Sequence, residues 1–166
     1  MGDHGAGQLS PLFERRMFRW DRQSGGYRVD LDTGLRRALR AMMEQFLTLL
    51  DDPGSPVLHR LFPPAYSEAA DLARQEEYRR LMLEDLVERH RDEARAVLDT
   101  VDAVTLSEEQ LLAWCRSVNG LRLALGTYLD VSDDDEARAP ESPEETMYHL
   151  LSYVLEEAVD AMSRRI

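Results

Sequence analysis

The chain has 166 residues, of which 43% are hydrophobic and 31% charged, a composition typical of one globular domain and unlike that of a disordered chain. No apolar run approaches the length of a membrane-spanning helix, and residues 1–11 lack the apolar core of a secretory signal, so we expect a cytoplasmic protein without membrane contact. The single cysteine, Cys115, excludes an internal disulfide and a cysteine-rich zinc site, and the net charge of −12 opposes indiscriminate binding to nucleic acid.

The beginning of the chain predicts a disordered tail followed by a β-hairpin. Residues 1–11 are rich in glycine and are expected to be disordered. A hairpin is predicted over residues 13–31, because apolar and polar residues alternate from Tyr27 to Leu31 and the Ser24-Gly25-Gly26 segment favours a turn. Since an isolated hairpin is only marginally stable in water, one of its faces should pack on the helices.

The hairpin and the residues after it form the one basic zone of the chain. Residues 13–40 contain eight arginines and four carboxylates, a net charge of +4, whereas residues 61–166 have a net charge of −13. Arginine binds phosphate and carboxylate groups in a bidentate manner, so this zone is the candidate contact for DNA or for an acidic partner. A solvated hairpin face without a partner is the alternative. The candidate contact residues are Arg15, Arg16, Arg19, Arg22, Arg28, Arg36, Arg37 and Arg40.

The first helix is predicted over about residues 33–50. Asp32 or Thr33 caps its start, and the Asp51-Asp52-Pro53-Gly54 sequence ends it. The proline-rich connection that follows contains a short apolar run, Val57 to Phe62, that is expected to form a helical turn against the core. This connection lacks the glycine pattern of a phosphate-binding loop.

The second helix is predicted over about residues 67–101. Charged residues at four-residue spacing, Glu76 with Arg80 and Asp85 with Arg89, indicate ion pairs on its solvent side. Apolar residues at helical spacing mark its predicted inner side, which consists of Leu72, Tyr78, Leu81, Met82, Leu86, Ala94, Val97, Leu98 and Val101.

The third helix, about residues 107–129, is predicted to be the centre of the fold, because its apolar arc is wide enough to be covered on more than one side. Ser107 and the glutamine three residues later form a capping box. Asn119 and Arg122 lie one turn apart near the apolar face and are predicted to form a buried polar network, with a ligand or partner site as the alternative. Cys115 is expected to be a buried thiol, and a redox-sensitive thiol is the alternative.

The last part of the chain predicts a linker and a fourth helix. Residues 130–142 match a calcium-binding EF-hand loop only in part, because an aspartate occupies the position that requires glycine, so an acidic linker is predicted instead. The helix over residues 143–163 is strongly indicated, with Ser142 as N-cap, Pro143 at the first position and Glu145 completing a capping box.

No catalytic arrangement is recognisable in the sequence. The four histidines are far apart, and neither a nucleophile elbow, a phosphate-binding loop nor a dinucleotide fingerprint is present. We therefore expect a protein that is not an enzyme, with no catalytic residue, metal site or cofactor.

Three segments of the chain resemble a known protein family. These are LHRLFPPAY (Leu58–Tyr66), the charged second helix, and WCRSVNGLRLALGTYL, which includes the distinctive Asn119–Gly126 segment. The chain resembles an actinobacterial family of unknown function that is typified by the oxidative-stress transcriptional regulator AosR and whose genes often lie beside the gene for the ClpS adaptor. The resemblance implies a role in transcription regulation that is linked to stress.

The sequence therefore predicts an all-α, single-domain helical bundle of four to five helices with a short N-terminal β-hairpin. The function that we expect is non-enzymatic and transcription-associated, exerted on DNA or through a protein partner. A protein–protein adaptor without DNA binding, linked to the proteolysis machinery, is the alternative. The broad apolar faces of the helices are also compatible with a homodimer.

Overall fold

The computed structural model describes residues 15–62, 72–132 and 138–165. The described residues form a bundle of four α-helices with a small antiparallel sheet, which confirms the predicted fold class. In chain order the elements are β1 (Phe18–Asp21), β2 (Gly26–Val29), α1 (Thr33–Leu49), a 3₁₀ turn (Pro56–Leu58), α2 (Leu72–Thr100), β3 (Thr105–Leu106), α3 (Glu108–Tyr128) and α4 (Pro143–Ser163). The predicted disordered tail, the start of the second helix before Leu72 and the centre of the acidic linker lie outside the described residues.

The predicted hairpin is present, and a third strand that the sequence did not indicate extends it. β1 pairs with β2, and β2 pairs with β3 in the order β1-β2-β3. Gly25 adopts a φ of 65° in the turn, a conformation that favours glycine. Gly26 is needed for a different reason, because a Cβ atom there would lie 2.6 Å from the carbonyl oxygen of Leu106 in β3. The glycines therefore permit both the turn and the close approach of β3.

Side-chain caps begin three of the helices. Asp32 accepts a hydrogen bond of 2.7 Å from Leu35 N and so caps α1. The capping box of α3 is complete, with Ser107 and Gln110 bonded to each other's backbone N–H. Ser142 caps α4 as predicted.

The predicted second half of the capping box on α4 is not formed. The Glu145 carboxylate accepts a hydrogen bond of 2.6 Å from the backbone N–H of Glu141, the residue before the N-cap Ser142. Glu145 also lies 3.6 Å from a guanidinium nitrogen of Arg138. The side chain thus stabilises the approach to the helix and the last residues of the linker.

The third helix occupies the centre of the bundle, as the width of its apolar arc predicts. It packs against α2 on one side and α4 on another, and it also contacts the 3₁₀ turn and the sheet. Trp114 is its largest fully buried side chain and donates a hydrogen bond of 2.8 Å to Thr100 Oγ1 at the end of α2. Its ring also meets Phe18 of β1 edge to face, so α3 connects the sheet with the helices.

The inner side predicted for α2 is correct only for its C-terminal half. Ala94, Val97 and Val101 are fully buried, whereas Tyr78, Leu81 and Met82 are 65%, 53% and 51% exposed. The apolar spacing there is helical, but these three side chains point away from the core, whereas Leu83 in the same turns packs against it. The pattern therefore identified a helix correctly and assigned one of its surfaces wrongly.

The predicted ion pairs on α2 are also different in the structure. Glu76 lies 3.7 Å from Arg79, at three-residue spacing, and forms no ion pair with Arg80. Asp85 and Arg89 form no ion pair with any residue that the structure describes. Three- and four-residue spacings are nearly equivalent on a helix, so spacing alone could not choose between these partners.

A candidate arginine interface on the N-terminal sheet

The two strands of the hairpin separate an apolar face from a basic one. Phe18 and Val29 are opposite each other and buried, whereas Arg19 and Arg28 are opposite each other and exposed. Two like charges in directly opposed positions destabilise an antiparallel pair. The sheet thus presents two cations next to each other on its solvent side.

Six of the eight candidate arginines are exposed, and we call them the arginine surface. They are Arg15, Arg16, Arg19, Arg22, Arg28 and Arg37. None of the six forms an ion pair with any described residue. By contrast, among the described residues eight arginines have a guanidinium nitrogen within 4.0 Å of a carboxylate oxygen: Arg40, Arg79, Arg91, Arg95, Arg116, Arg138, Arg164 and Arg165.

The Asp21 carboxylate lies on the same side of the hairpin. Asp21 is the neighbour of the exposed pair along β1, and it is paired in register with Gly26. The backbone N–H of Gln23, with a smaller contribution from the Arg28 charge, lowers the pKa of Asp21. The Asp21 carboxylate is therefore ionised at neutral pH and offsets part of the positive charge.

The C-terminal end of α4 holds the hairpin in place. Glu157 accepts a hydrogen bond of 3.0 Å from the backbone N–H of Met17, immediately before β1. The Arg165 guanidinium carbon lies 4.0 Å from the centre of the Trp20 ring, and Arg165 also forms an ion pair with Glu108 of α3. These contacts attach the sheet to two helices through its buried side and its edge, so the exposed arginines lie on a fixed support.

Arg36 serves the fold instead of the surface. Its Nη1 atom donates hydrogen bonds to the carbonyl oxygens of Val101 at 2.6 Å and Ala103 at 3.0 Å. Its Nε atom donates to Leu31 O at 3.0 Å, and its Nη2 atom to Val29 O at 3.5 Å. The half-buried guanidinium thereby connects the end of β2, the start of α1 and the segment between α2 and β3.

Arg40 is engaged as well, in an ion pair with Asp102 that joins α1 to the segment after α2. A partner that used Arg36 or Arg40 would have to break these internal contacts. We therefore leave both residues out of the arginine surface, although no local pattern in the sequence separates them from the other six.

The structure brings Asn119 and Arg122 together and adds Tyr148 to the pair. Arg122 donates hydrogen bonds of 3.1 Å to Tyr148 Oη and 3.5 Å to Asn119 Oδ1. The guanidinium carbon also lies 5.7 Å from the centre of the Tyr148 ring. The arrangement joins α3 to α4, as a structural network would, and Tyr148 could not be assigned to it from spacing because it lies on another helix.

Cys115 is buried on α3, as expected for a structural thiol. Burial raises the pKa of Cys115 to about 11, so the thiolate is scarce at neutral pH. The thiolate is the form that reacts with oxidants, and the site therefore gives no support to the alternative of a redox-sensitive thiol.

A buried polar pair on α2 was not found from the sequence. His90 Nδ1 is buried and has no hydrogen-bond partner among the described residues, and Glu93 Oε2 lies 3.6 Å from it. Burial, and to a smaller extent the Arg89 charge, lowers the pKa of His90, while burial raises the pKa of Glu93. Both shifts favour the neutral forms, so the two side chains do not behave as a strong ion pair. The three-residue spacing of histidine and glutamate was the only available signal.

The described parts of the chain contain neither a cluster of metal-ligating side chains nor a helix that could span a membrane. Residues 15–62, 72–132 and 138–165 contain no group of three or more side chains arranged to hold a metal ion. Within the same ranges, no helix combines the length and the apolarity that are needed to cross a bilayer.

Residues 16–162 match the profile of a domain of unknown function, DUF2017. The chain belongs to the DUF2017 family. The matched region contains the arginine surface except Arg15, together with the three strands and nearly all of the four helices. Comparisons with curated proteins and with solved structures gave no match.

Proposed function

We propose that this DUF2017 protein is a transcription-associated regulator that contacts DNA through the arginine surface. The observation that supports this proposal most directly is the exposed, opposed pair of Arg19 and Arg28, which forms no ion pair within 4.0 Å in the described part of the chain although the net charge of the chain is −12. Many arginines of the protein are neutralised by neighbouring carboxylates, whereas these two cations form no ion pair with a described residue and are offset only in part by Asp21, so they are available for an anion.

The geometry suits a contact with phosphate groups. Arginine donates two parallel hydrogen bonds to a phosphate and remains charged at any physiological pH. The sheet holds Arg19 and Arg28 side by side, and the turn between the strands supplies Arg22. Residues 61–166 have a net charge of −13 and would repel DNA over most of the remaining surface, which favours binding at the arginine surface.

The resemblance to the family typified by AosR supports the same proposal. It implies a regulator of transcription under oxidative stress, and a regulator needs contact with DNA or with the transcription machinery. The redox part of the resemblance would have to operate through Cys115 alone, since the chain has one cysteine. We therefore propose the regulatory role without a thiol sensor.

A second candidate function is a protein–protein adaptor that does not bind DNA. The observation that favours it is the net charge of −13 in residues 61–166, which weakens attraction to DNA over most of the surface. An acidic protein surface would then occupy the arginine surface in place of phosphate. An adaptor linked to the proteolysis machinery would fit this description.

The test is the capture of fragmented genomic DNA from the source organism on the purified protein at several salt concentrations. Arg19→Ala with Arg28→Ala removes the opposed pair. The matched control is Arg95→Ala with Arg116→Ala, which removes the same charge from positions where carboxylates lie within 4.0 Å.

The proposal predicts that a small set of fragments is retained at moderate salt by the wild type and by the control, and is lost from the Arg19 and Arg28 variant. Uniform weak capture, or no capture, would contradict direct DNA reading and favour the adaptor. Equal loss in both double variants would show that net charge alone matters, and it would also count against the proposed surface.

A further inference from the structure

The N-terminal half of α2 carries a row of exposed residues that are apolar at the centre and oppositely charged at the two ends. Arg74, Tyr78, Leu81 and Asp85 follow one another at steps of four, three and four residues, so they lie on one line along the helix. Met82 lies beside this line, four residues after Tyr78. We call these five residues the α2 face.

The α2 face is unusually exposed for its composition. Tyr78, Leu81 and Met82 have 65%, 53% and 51% of their surface accessible. Large apolar side chains on three adjacent helical positions form a patch that water solvates poorly. The charged ends are also unsatisfied, because neither Arg74 nor Asp85 forms an ion pair with any residue that the structure describes.

The order of charges along the face fits a second copy of the same helix in the antiparallel direction. A twofold axis placed midway between Tyr78 and Leu81 sets Tyr78 of one protomer against Leu81 of its partner. The same axis sets Arg74 against Asp85 of the other protomer, and each contact occurs twice, as in any interface between identical surfaces. Steps of four and three residues are also those of a helix pair that packs side chains into the spaces of its partner.

We propose that the α2 face is a homodimer interface, formed by antiparallel packing of the N-terminal halves of two α2 helices. The contact spans 12 residues from Arg74 to Asp85, about 18 Å at 1.5 Å per residue. Such a short interface makes a weak dimer. Glu77 and Glu84 flank the line on one side and repel their counterparts, which weakens the association further.

The proposal is independent of the arginine surface, which lies on the sheet. A protein that binds DNA but remains monomeric at the highest concentration reached would contradict the dimer alone, and a dimer that does not bind DNA would contradict the DNA-binding regulator alone. The two accounts can therefore fail separately.

Sedimentation equilibrium of the full chain at increasing protein concentration tests the interface. Leu81→Glu places a charge at the centre of the α2 face and should leave the protein monomeric. The matched control is Val104→Glu, because Val104 is a 70% exposed apolar side chain outside α2. The control should form a dimer with the same dissociation constant as the wild type.

A charge exchange makes the test specific to the antiparallel arrangement. Arg74→Glu alone or Asp85→Arg alone creates two repulsive contacts across the axis and should weaken the dimer about tenfold. The two changes together restore opposite charges across the axis, and the dissociation constant of the dimer should return to within about threefold of the wild-type value. This exchange remains informative even if Leu81→Glu fails to fold.

Three results would overturn the proposal. The wild type could remain monomeric at the highest concentration reached, which would leave the α2 face to a different protein. The double charge exchange could be as weak as the single variants, which would exclude the antiparallel contact. A dimer that Leu81→Glu does not affect would place the interface elsewhere.

Discussion

Removal of the Arg36 guanidinium should destabilise the protein strongly although the residue is an arginine near the surface. Three of its hydrogen bonds to backbone carbonyls are 3.0 Å or shorter, to Leu31, Val101 and Ala103. Each such bond contributes about 1 kcal/mol when the site is only half buried, so Arg36→Ala should lower the free energy of unfolding by about 3 kcal/mol. For a chain of this size that loss corresponds to a decrease in Tm of about 6–12 °C.

The assay is urea denaturation followed by circular dichroism, with a thermal melt as a second measurement. Arg37→Ala is the matched control, because Arg37 is the exposed neighbour and should change stability by no more than about 0.5 kcal/mol. Arg36→Lys should fall between the two, since one ammonium group cannot reach carbonyls on three segments. If Arg36→Ala is as stable as Arg37→Ala, the guanidinium does not hold these segments together. Arg36 would then again be a candidate contact residue for DNA or a partner.

Three further predictions concern single positions. Gly26→Ala should cost about 1–3 kcal/mol in a denaturation experiment, because its Cβ atom would lie 2.6 Å from Leu106 O, and an unchanged stability would contradict the close pairing of β2 and β3. Cys115 should react with iodoacetamide only when the protein is unfolded, since burial raises the pKa of its thiol to about 11; rapid alkylation of the native protein at pH 7 would refute this. Because the pKa of His90 is lowered in the folded protein, the unfolded chain binds more protons, and the free energy of unfolding should fall as the pH drops through about 6.5. His90→Gln should remove this part of the pH dependence. Parallel curves of stability against pH for the wild type and the variant would contradict this prediction.

The pH experiment separates His90 from its neighbour Glu93, whose effect has the opposite sign. The raised pKa of Glu93 gives stability that is present below the ordinary pKa of a glutamate and is lost as the pH rises through the raised value. The difference between the wild type and His90→Gln contains the histidine contribution, because Glu93 is present in both proteins.

Local signals in the sequence predicted the helices well. Ser107, with the glutamine three residues later, and Ser142, followed by Pro143, mark helix starts through side-chain to backbone bonds that involve only neighbouring residues. The predicted fourth helix has the bounds that the structure shows. Such features can be read without knowledge of the tertiary structure.

The errors came from contacts between distant residues. β3 is only two residues long and is stabilised by its pairing with β2. The local sequence at Thr105 and Leu106 contains no signal of that pairing. The α2 face has the spacing of a buried helix side, but burial depends on which elements reach it. Spacing predicts that Leu81 lies on an apolar side, and only the tertiary structure shows that the side is exposed.

The candidate site was predicted as a zone of charge, and its division into two groups needed the structure. Arg36 and Arg37 are adjacent in sequence and chemically identical. The carbonyls that bind Arg36 belong to segments up to 67 residues away, such as Ala103, and these contacts could not be inferred from the local sequence. The opposed placement of Arg19 and Arg28 likewise depends on the strand register.

The salt dependence of DNA binding tests the central claim most directly. Affinity for a captured fragment is measured by fluorescence anisotropy over a range of salt concentrations, and the slope of log K against log salt reports the number of phosphates neutralised. The account predicts that Arg19→Ala with Arg28→Ala reduces this slope by up to about 1.8, whereas Arg95→Ala with Arg116→Ala leaves it unchanged. Identical slopes for the wild type and the Arg19 and Arg28 variant would show that the arginine surface does not bind DNA.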